Sequence, residues 1–477
     1  MAHNEQIFTP IDVVKGILDH IGYKSDNDIR KKHIVDPSCG DGHFIGEIVL
    51  RYINACIKDR LLFEEIIPEL QTYIHGLEID EKLCQKAQQY IVSYLYSNGV
   101  NCDPIIFDIR NVDTLDFKEF NGKMDYVVGN PPYCKVHDLK EKYDKVKEYS
   151  FAENGMTDLY LVFFEIGINM LNENGKLGYI TPNSWLTSVA GNNFRKYLQN
   201  NKNILKGIIQ LGHKQIFPEA TTFTCITLLD KTKDNNLLFY KNDFEEVWKS
   251  VSLFKAFIKN KLYLASDNEL KLLNNIMDNN VTTNYKIKVK NGFATLNDKL
   301  FILSEKLDDE DNIFEKNNIL IWKASKDKIT TAIYPYDKEG KALKYENICF
   351  ETRLMLQILK KAFEIETTKD DWYLYGRYQG IKDMSKYRIG INTLINDSLQ
   401  SINMRLLEPY VGIYSGLYIV CEDNDNFIKE NYEKIHDLII SSEFIKYIQN
   451  IGKYKNGGYY TFSSKDVENY LNYILFK

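Results

Sequence analysis

A chain of 477 residues, 44% hydrophobic and 26% charged, can bury a full core and divide into two or three domains. Its net charge of −6 gives no global attraction to polyanions, but the acidic excess lies ahead of Val251 and the remainder is near neutral, which leaves room for a locally cationic cleft. Eight cysteines without a CxxC pair, eight histidines without an HExxH and no apolar run of about 18 residues speak against a disulfide framework, a zinc site and a membrane span, so a reduced, cytoplasmic protein with no membrane partner is expected.

Thr9-Pro10 opens the first helix, with Thr9 suited to the N-cap, Pro10 to the first helical position and Val13, Val14, Ile17, Leu18 and Ile21 on one apolar stripe. Ile34-Val35-Asp36 reads as a strand, followed by the turn Pro37 to Gly42 and a helix from His43. Gly40 and Gly42 let backbone approach a ligand, and the helix N-terminus favours an anionic group. The turn lacks the GxGxxG spacing of a dinucleotide site. Tyr73 to Asp80 reads as a second strand ending in acids. Glu78 is placed to accept ribose hydroxyls, as an acid does in nucleotide folds, and Asp80 to cap the next helix. Ile105 to Phe107 is the expected third strand, with Asp113 and its rival Asp108 just beyond it.

Tyr126-Val127-Val128 is a buried strand that runs into Gly129-Asn130-Pro131-Pro132-Tyr133. The prolines Pro131 and Pro132 pre-set the backbone. The Asn130 side-chain oxygen and the Pro131 carbonyl can both accept from one amino group, and Tyr133 offers a ring on which a planar base can stack. An ordinary Asn-Pro turn is the plain alternative. Lys135, Lys140, Lys142, Lys145 and Lys147 follow in a charged segment, read first as a solvated loop and second, from its place beside the base site, as a contact to a nucleic-acid backbone. Thr157-Asp158-Leu159-Tyr160 starts an apolar helix to Leu171; strands at 176–182, 204–211 and 223–229 bring the total to seven, the last two able to pair as a hairpin. Gln215-Ile216-Phe217-Pro218 lies in that hairpin's loop. Lys231 to Asn236 is a polar linker, dividing the chain into 1–234 and 235–477.

These motifs, with the donor-type turn first, the tetrad next and a long C-terminal region last, resemble an adenine-N6 DNA methyltransferase, in the gamma order of TaqI-like modification enzymes. The resemblance implies a Rossmann-like seven-stranded α/β catalytic domain over 1–234 and a target-recognition domain over 235–477. It implies S-adenosyl-L-methionine as cofactor, held by Thr9, Asp36, Gly40, Gly42, Glu78 and Asp113. Asn130, Pro131, Pro132 and Tyr133 would hold the flipped adenine, with Phe217 packed on the face opposite Tyr133. Double-stranded DNA is the implied partner, and a separate restriction endonuclease is compatible with it.

Beyond the linker, the segments 289–295, 375–380 and 457–462 are similar to ones in such recognition regions, with Arg377 either a base or phosphate contact or a surface residue stacked on Tyr. Protein-glutamine and RNA methyltransferases share the tetrad and stay open as alternatives. Asp327 with Glu339-Gly340-Lys341 is the one nuclease-like spacing, which would suit a fused restriction enzyme.

Overall fold

The computed structural model describes residues 9–101, 105–134, 143–152, 157–201, 203–211, 223–233, 235–278, 286–303, 317–366, 369–451, 453–455 and 457–476. The chain divides into two units, Met1–Leu270 and Lys271–Lys477.

The first unit is built on one sheet of β1 (Ile34–Asp36), β2 (Ile74–Glu78), β3 (Asp108–Asn111), β4 (Met124–Gly129), β5 (Leu171–Pro182), β6 (Leu205–Gln210), β7 (Thr224–Asp230), β8 (Leu237–Lys241) and β9 (Lys249–Ser252), in the order β3-β2-β1-β4-β5-β7-β6-β8-β9. Strands β1 to β5 run parallel, and β7 inserts antiparallel between β5 and β6. The order reverses where β1 meets β4, and open α/β sheets hold their ligands outside the carboxyl ends of the strands at such a switch point. Both β1 and β4 end there in the residues singled out from the sequence.

Alternation along β5 decides the layering. A Cβ on Gly178 would stand 2.8 Å from Ile17 Cγ2 of α1 (Ile11–Ile21). A Cβ on Gly167 of α6 (Leu159–Met170) would meet Leu177 Cδ1 at 2.7 Å and Tyr179 Oη at 2.6 Å. Successive strand residues point to opposite faces, so α1 and α6 cover opposite faces of the sheet. On the α1 face, α2 (His43–Lys58), α3 (Phe63–Tyr73) and α4 (Glu81–Ser97) share one apolar core with α1. On the other, Phe164 of α6 stacks on Phe194 of α7 (Asn192–Asn200) at 4.4 Å. A short α5 (Tyr143–Lys147) lies between the tetrad and α6 in sequence.

Several expectations are corrected. The sheet has nine strands rather than seven, because β8 pairs with β6 and β9 with β8. The polar 231–236 stretch therefore joins two strands of one sheet, and the first unit continues past residue 234 to Leu270. Polar composition marks solvent exposure, which a tight interstrand connection shares with a linker. The third strand is Asp108–Asn111, not 105–107; Ile105 and Phe107 are buried ahead of it. Strand β5 starts at Leu171, ahead of the expected 176. Pro10 rather than Thr9 holds the cap position of α1, with its carbonyl accepting from Val13 and Val14. Asp80 caps α4 as expected, accepting from Lys82 N at 2.8 Å.

The second unit contains an antiparallel sheet ordered Ile287–Asn291, Leu417–Cys421, Arg388–Ile391, Met404–Leu407, and a three-stranded sheet of Lys328–Ile333, Asn318–Lys323 and Gly412–Tyr414. Two of the three segments singled out there meet: Ala294 and Arg377 exchange backbone hydrogen bonds of 3.0 Å, and Phe293 stacks on Tyr375 at 4.8 Å. The third, containing Tyr459–Thr461, pairs instead with Leu394–Ile395.

Candidate active site

Strand β1 delivers Asp36 to the carboxyl edge almost fully buried, and the chain then turns back on it: Ser38 N donates to Asp36 Oδ1 at 2.9 Å. Burial pushes the Asp36 carboxyl up to about 8; the Ser38 amide opposes this and the nearby Glu78 adds to it. A buried acid of this kind is primed to meet a cation, which would restore its charged form.

Glu78, at the end of β2, is tied to the same turn. Its Oε2 accepts from Gly40 N and its Oε1 from Asp80 N, both at 3.0 Å. Gly40 has φ +55, so backbone conformation favours glycine there, and the space a Cβ would take is open, with nothing within 4 Å. Gly42 has a second reason: at φ +95, a Cβ would press on Ala87 of α4 at 3.1 Å, so this glycine also seats α4 against the turn. Thr9 is buried ahead of α1, and no hydrogen bond joins it to Asp36 or Glu78 among the described residues.

Strand direction sets the two later acids at opposite ends of the sheet. Asp108 opens β3 opposite His75, at the amino end of the sheet, and binds His75 Nδ1 at 2.6 Å and Arg110 Nε at 3.0 Å. Asp113 follows the far end of β3, beyond the Glu78–Asn111 pair, and its Oδ1 accepts from Leu115 N at 3.2 Å. The adjacent Thr114 Oγ1 donates to Pro37 O at 2.6 Å, which fastens the Asp113 segment to the Asp36 turn. The structure thus brings Asp36, Gly40, Glu78 and Asp113 to one edge.

The tetrad leaves β4 beside them. Ser38 Oγ donates to Asn130 O at 3.4 Å, and a Cβ on Gly129 would stand 2.6 Å from Asp36 Oδ1. Pro131 is buried and Tyr133 half-buried. Tyr133 Oη donates to Ile180 O at 3.2 Å, and burial, with Cys225 and Tyr160 nearby, pushes its phenol well above the usual range, so it stays a donor. Phe217 and most of the lysine-rich segment lie outside the described residues.

Residues 62–217 match the family model described as Eco57I restriction-modification methylase.

That stretch carries Glu78, Asp113, the tetrad and Phe217, and begins after Asp36 and its turn. Among curated relatives, the Type II restriction enzyme and methyltransferase RM.Eco57I of Escherichia coli is 27% identical over 294 residues, covering 50% of this chain and 29% of that protein. The Type II methyltransferase M.BstVI of Geobacillus stearothermophilus is 28% identical over 251 residues, covering 50% and 44%. M.AccI of Acinetobacter calcoaceticus is 25% identical over 360 residues, covering 70% and 59%. The chain spans less than half the length of the first two. A fold likeness extends over nearly the whole chain: the Type IIL restriction-modification enzyme MmeI has a TM-score of 0.59 at 12% identity, covering 96% of this chain and 65% of that one. The Type ISP enzyme LlaGI has 0.56 at 15%, covering 98% and 46%.

Two residues that sequence patterns left unmarked join the parts of this edge. Ser38 and Thr114 bridge its halves through hydroxyls that no periodicity announces. The nuclease-like spacing does not assemble a metal centre: Asp327 accepts from Trp322 Nε1 at 2.7 Å, while Glu339 and Lys341 donate backbone N–H to Asp337. Among the described residues no group of three or more His, Cys, Asp or Glu could hold a metal ion, and no helix is long and apolar enough to cross a membrane.

Proposed function

We propose that the protein methylates the N6 of an adenine flipped out of double-stranded DNA, using S-adenosyl-L-methionine. The observation that supports this best is the Ser38 bridge: one residue bonds the donor-side Asp36 through its amide and the tetrad's Asn130 through its hydroxyl. A donor pocket and an amine-accepting clamp that share a wall suit direct transfer between them.

The residues present fit that cofactor. Asp36, buried and raised, suits the donor's amino group; Gly40 leaves room at the turn; Glu78 suits the ribose hydroxyls and Asp113 the adenine amino group, and Thr9, buried ahead of α1, completes the set. The cofactor supplies a methyl group activated on a sulfonium. Asn130 and Pro131 contribute acceptors for the target amino group, raising electron density on its nitrogen and holding it in line. Pro132 keeps that backbone extended. Stacking on Tyr133, with Phe217 on the other face, offsets the cost of flipping, at roughly 1–3 kcal/mol per base.

The C-terminal unit serves as the DNA-recognition part, with Arg377, exposed on the turn paired to Ala294, a candidate for base or phosphate contact. A restriction endonuclease acting on the same sequence is compatible with this reading. The test is to incubate the purified protein with S-adenosylmethionine and genomic DNA lacking modification, then map methylated adenines by single-molecule sequencing. Transfer to RNA or to a protein glutamine alone would reject the DNA reading.

A further inference from the structure

The first turn of α6 reads in the sequence only as the start of an apolar helix, yet it stands directly behind the tetrad. Leu159 N donates to Cys134 O at 2.8 Å, fixing the chain immediately after Tyr133. The Tyr160 ring meets the Tyr133 ring edge-on, with centroids 6.4 Å apart and planes at 80°. Tyr160 is fully buried, and its hydroxyl shares a 3.1 Å hydrogen bond with Ser184 Oγ. Ser184 belongs to the turn that follows β5, and that turn is held in its own right: the buried Arg195 donates to the carbonyls of Trp185, Ser188 (2.8 Å) and Asn260 (2.5 Å). The Tyr133 hydroxyl is caught on Ile180 O of the same strand.

We infer that Tyr160 is a positioning residue for base stacking: it braces the edge of the Tyr133 ring while the Ile180 carbonyl holds the ring's tip. The inference rests on the reading of Tyr133 as the ring under the flipped adenine, and adds which residue sets that ring's angle. A ring anchored only at Cβ and at its hydroxyl can still rock about the line between them. An edge-on neighbour on a packed helix removes that motion, and stacking geometry has to be held within about 10–20° to be productive. Edge-to-face contact also places the positive rim of one ring on the negative face of the other, which favours one angle over others. Ser184 carries the brace to the Arg195-clamped turn, so Tyr160 is itself fixed at its hydroxyl.

The test uses the full chain, a duplex containing the mapped site, and the same duplex with 2-aminopurine at the target adenine. Tyr160→Leu and Tyr160→Met remove the aromatic edge while filling much of its volume, and Tyr160→Phe keeps the edge and loses only the Ser184 bond. Two readouts separate positioning from general damage: kcat against KM for DNA, and the emission of 2-aminopurine in the complex, which reports how the flipped base stacks. The expected result is a fall in kcat of about two- to tenfold for Leu and Met, with brighter, less quenched 2-aminopurine, unchanged S-adenosylmethionine affinity, and recovery of most of the loss in Phe. If Leu fails to fold, Met carries the test, since its flexible side chain adapts to irregular gaps. A folded Leu or Met variant with parent kcat and parent emission overturns the inference while leaving the proposed function intact. Equal losses in Phe, Leu and Met would also overturn it, because the edge would then be irrelevant. A parent protein that neither methylates the duplex nor changes 2-aminopurine emission overturns the proposed function itself.

Discussion

Gly129 and Asp36 touch across the two central strands: a Cβ on Gly129 would stand 2.6 Å from Asp36 Oδ1 and 3.1 Å from its Cγ. The backbone there also has φ +152, so Gly129→Ala meets both strain and a buried carboxyl group that has little room to retreat. The substitution should cost roughly 1–3 kcal/mol of stability and weaken S-adenosylmethionine binding more than a comparable change elsewhere on β4. Thermal unfolding and calorimetry on the same sample check this. Parent-like affinity would show that Asp36 does not touch the donor.

If Asp36 meets the donor's amino group as proposed, its titration should make donor binding pH-dependent. Its folded carboxyl is raised from 3.8 to about 8, chiefly by burial, so the unliganded fold holds a proton that the unfolded chain gives up. The stability of the unliganded protein should therefore fall as pH rises between those two values. A cationic donor group needs the ionised form, so its binding moves the other way: affinity should rise with pH up to about 8 and level off above. Calorimetry at neutral pH in buffers of different ionisation enthalpy should detect proton release on binding, and Asp36→Asn should abolish that release.

On the proposed reading, variants of Asn130 and Tyr133 separate chemistry from stacking. Asn130→Ala should remove methyl transfer while donor binding persists. Tyr133→Phe keeps the ring but leaves Ile180 O without its 3.2 Å donor, so activity should drop modestly, whereas Tyr133→Ala should lose considerably more. Initial rates with saturating S-adenosylmethionine distinguish the cases. Parent-rate transfer by Asn130→Ala would reject the mechanism.

Asp113 and Asp108 should respond oppositely. Asp113→Ala should weaken donor binding with little change in unfolding temperature, because its segment is already fastened by Thr114. Asp108→Asn should lower stability, since it breaks contacts to His75 and Arg110 at the far end of the sheet, and should leave donor affinity near the parent value.

Truncation tests the unit boundary. A chain ending at residue 234 loses β8 and β9 and uncovers the edge of β6, so it should aggregate or melt early. A chain ending after the helix Asp267–Asp278 keeps the sheet whole. It should bind S-adenosylmethionine and lose sequence-selective DNA binding. Site-specific methylation by that shorter chain would count against a recognition role for the second unit.

Much of the first unit was legible in the residues because local rules and tertiary packing agree there. The strands ending in Asp36, Glu78 and Gly129 are short apolar runs closed by an acid or a rigid turn, and a buried parallel strand leaves few other ways to write itself. The proline pair after Asn130 announces a pre-set backbone without any partner. What only the tertiary structure decided are features carried by neighbours distant in sequence. Whether Asp108 or Asp113 reaches the crevice depends on where β3 begins, and the pairing of His75 with Asp108 sets that register. That Gly42 must also leave room for Ala87 shows only once α4 is packed on the turn. The edge strands β8 and β9 follow a polar stretch that composition marks as a break, and it is the unpaired edge of β6, invisible along the chain, that draws them into the sheet. The hydroxyls of Ser38, Thr114 and Tyr160 find their partners across 92, 77 and 24 residues of chain. A hydroxyl has no periodicity, so its partner is determined only once the strands that bring it there have paired.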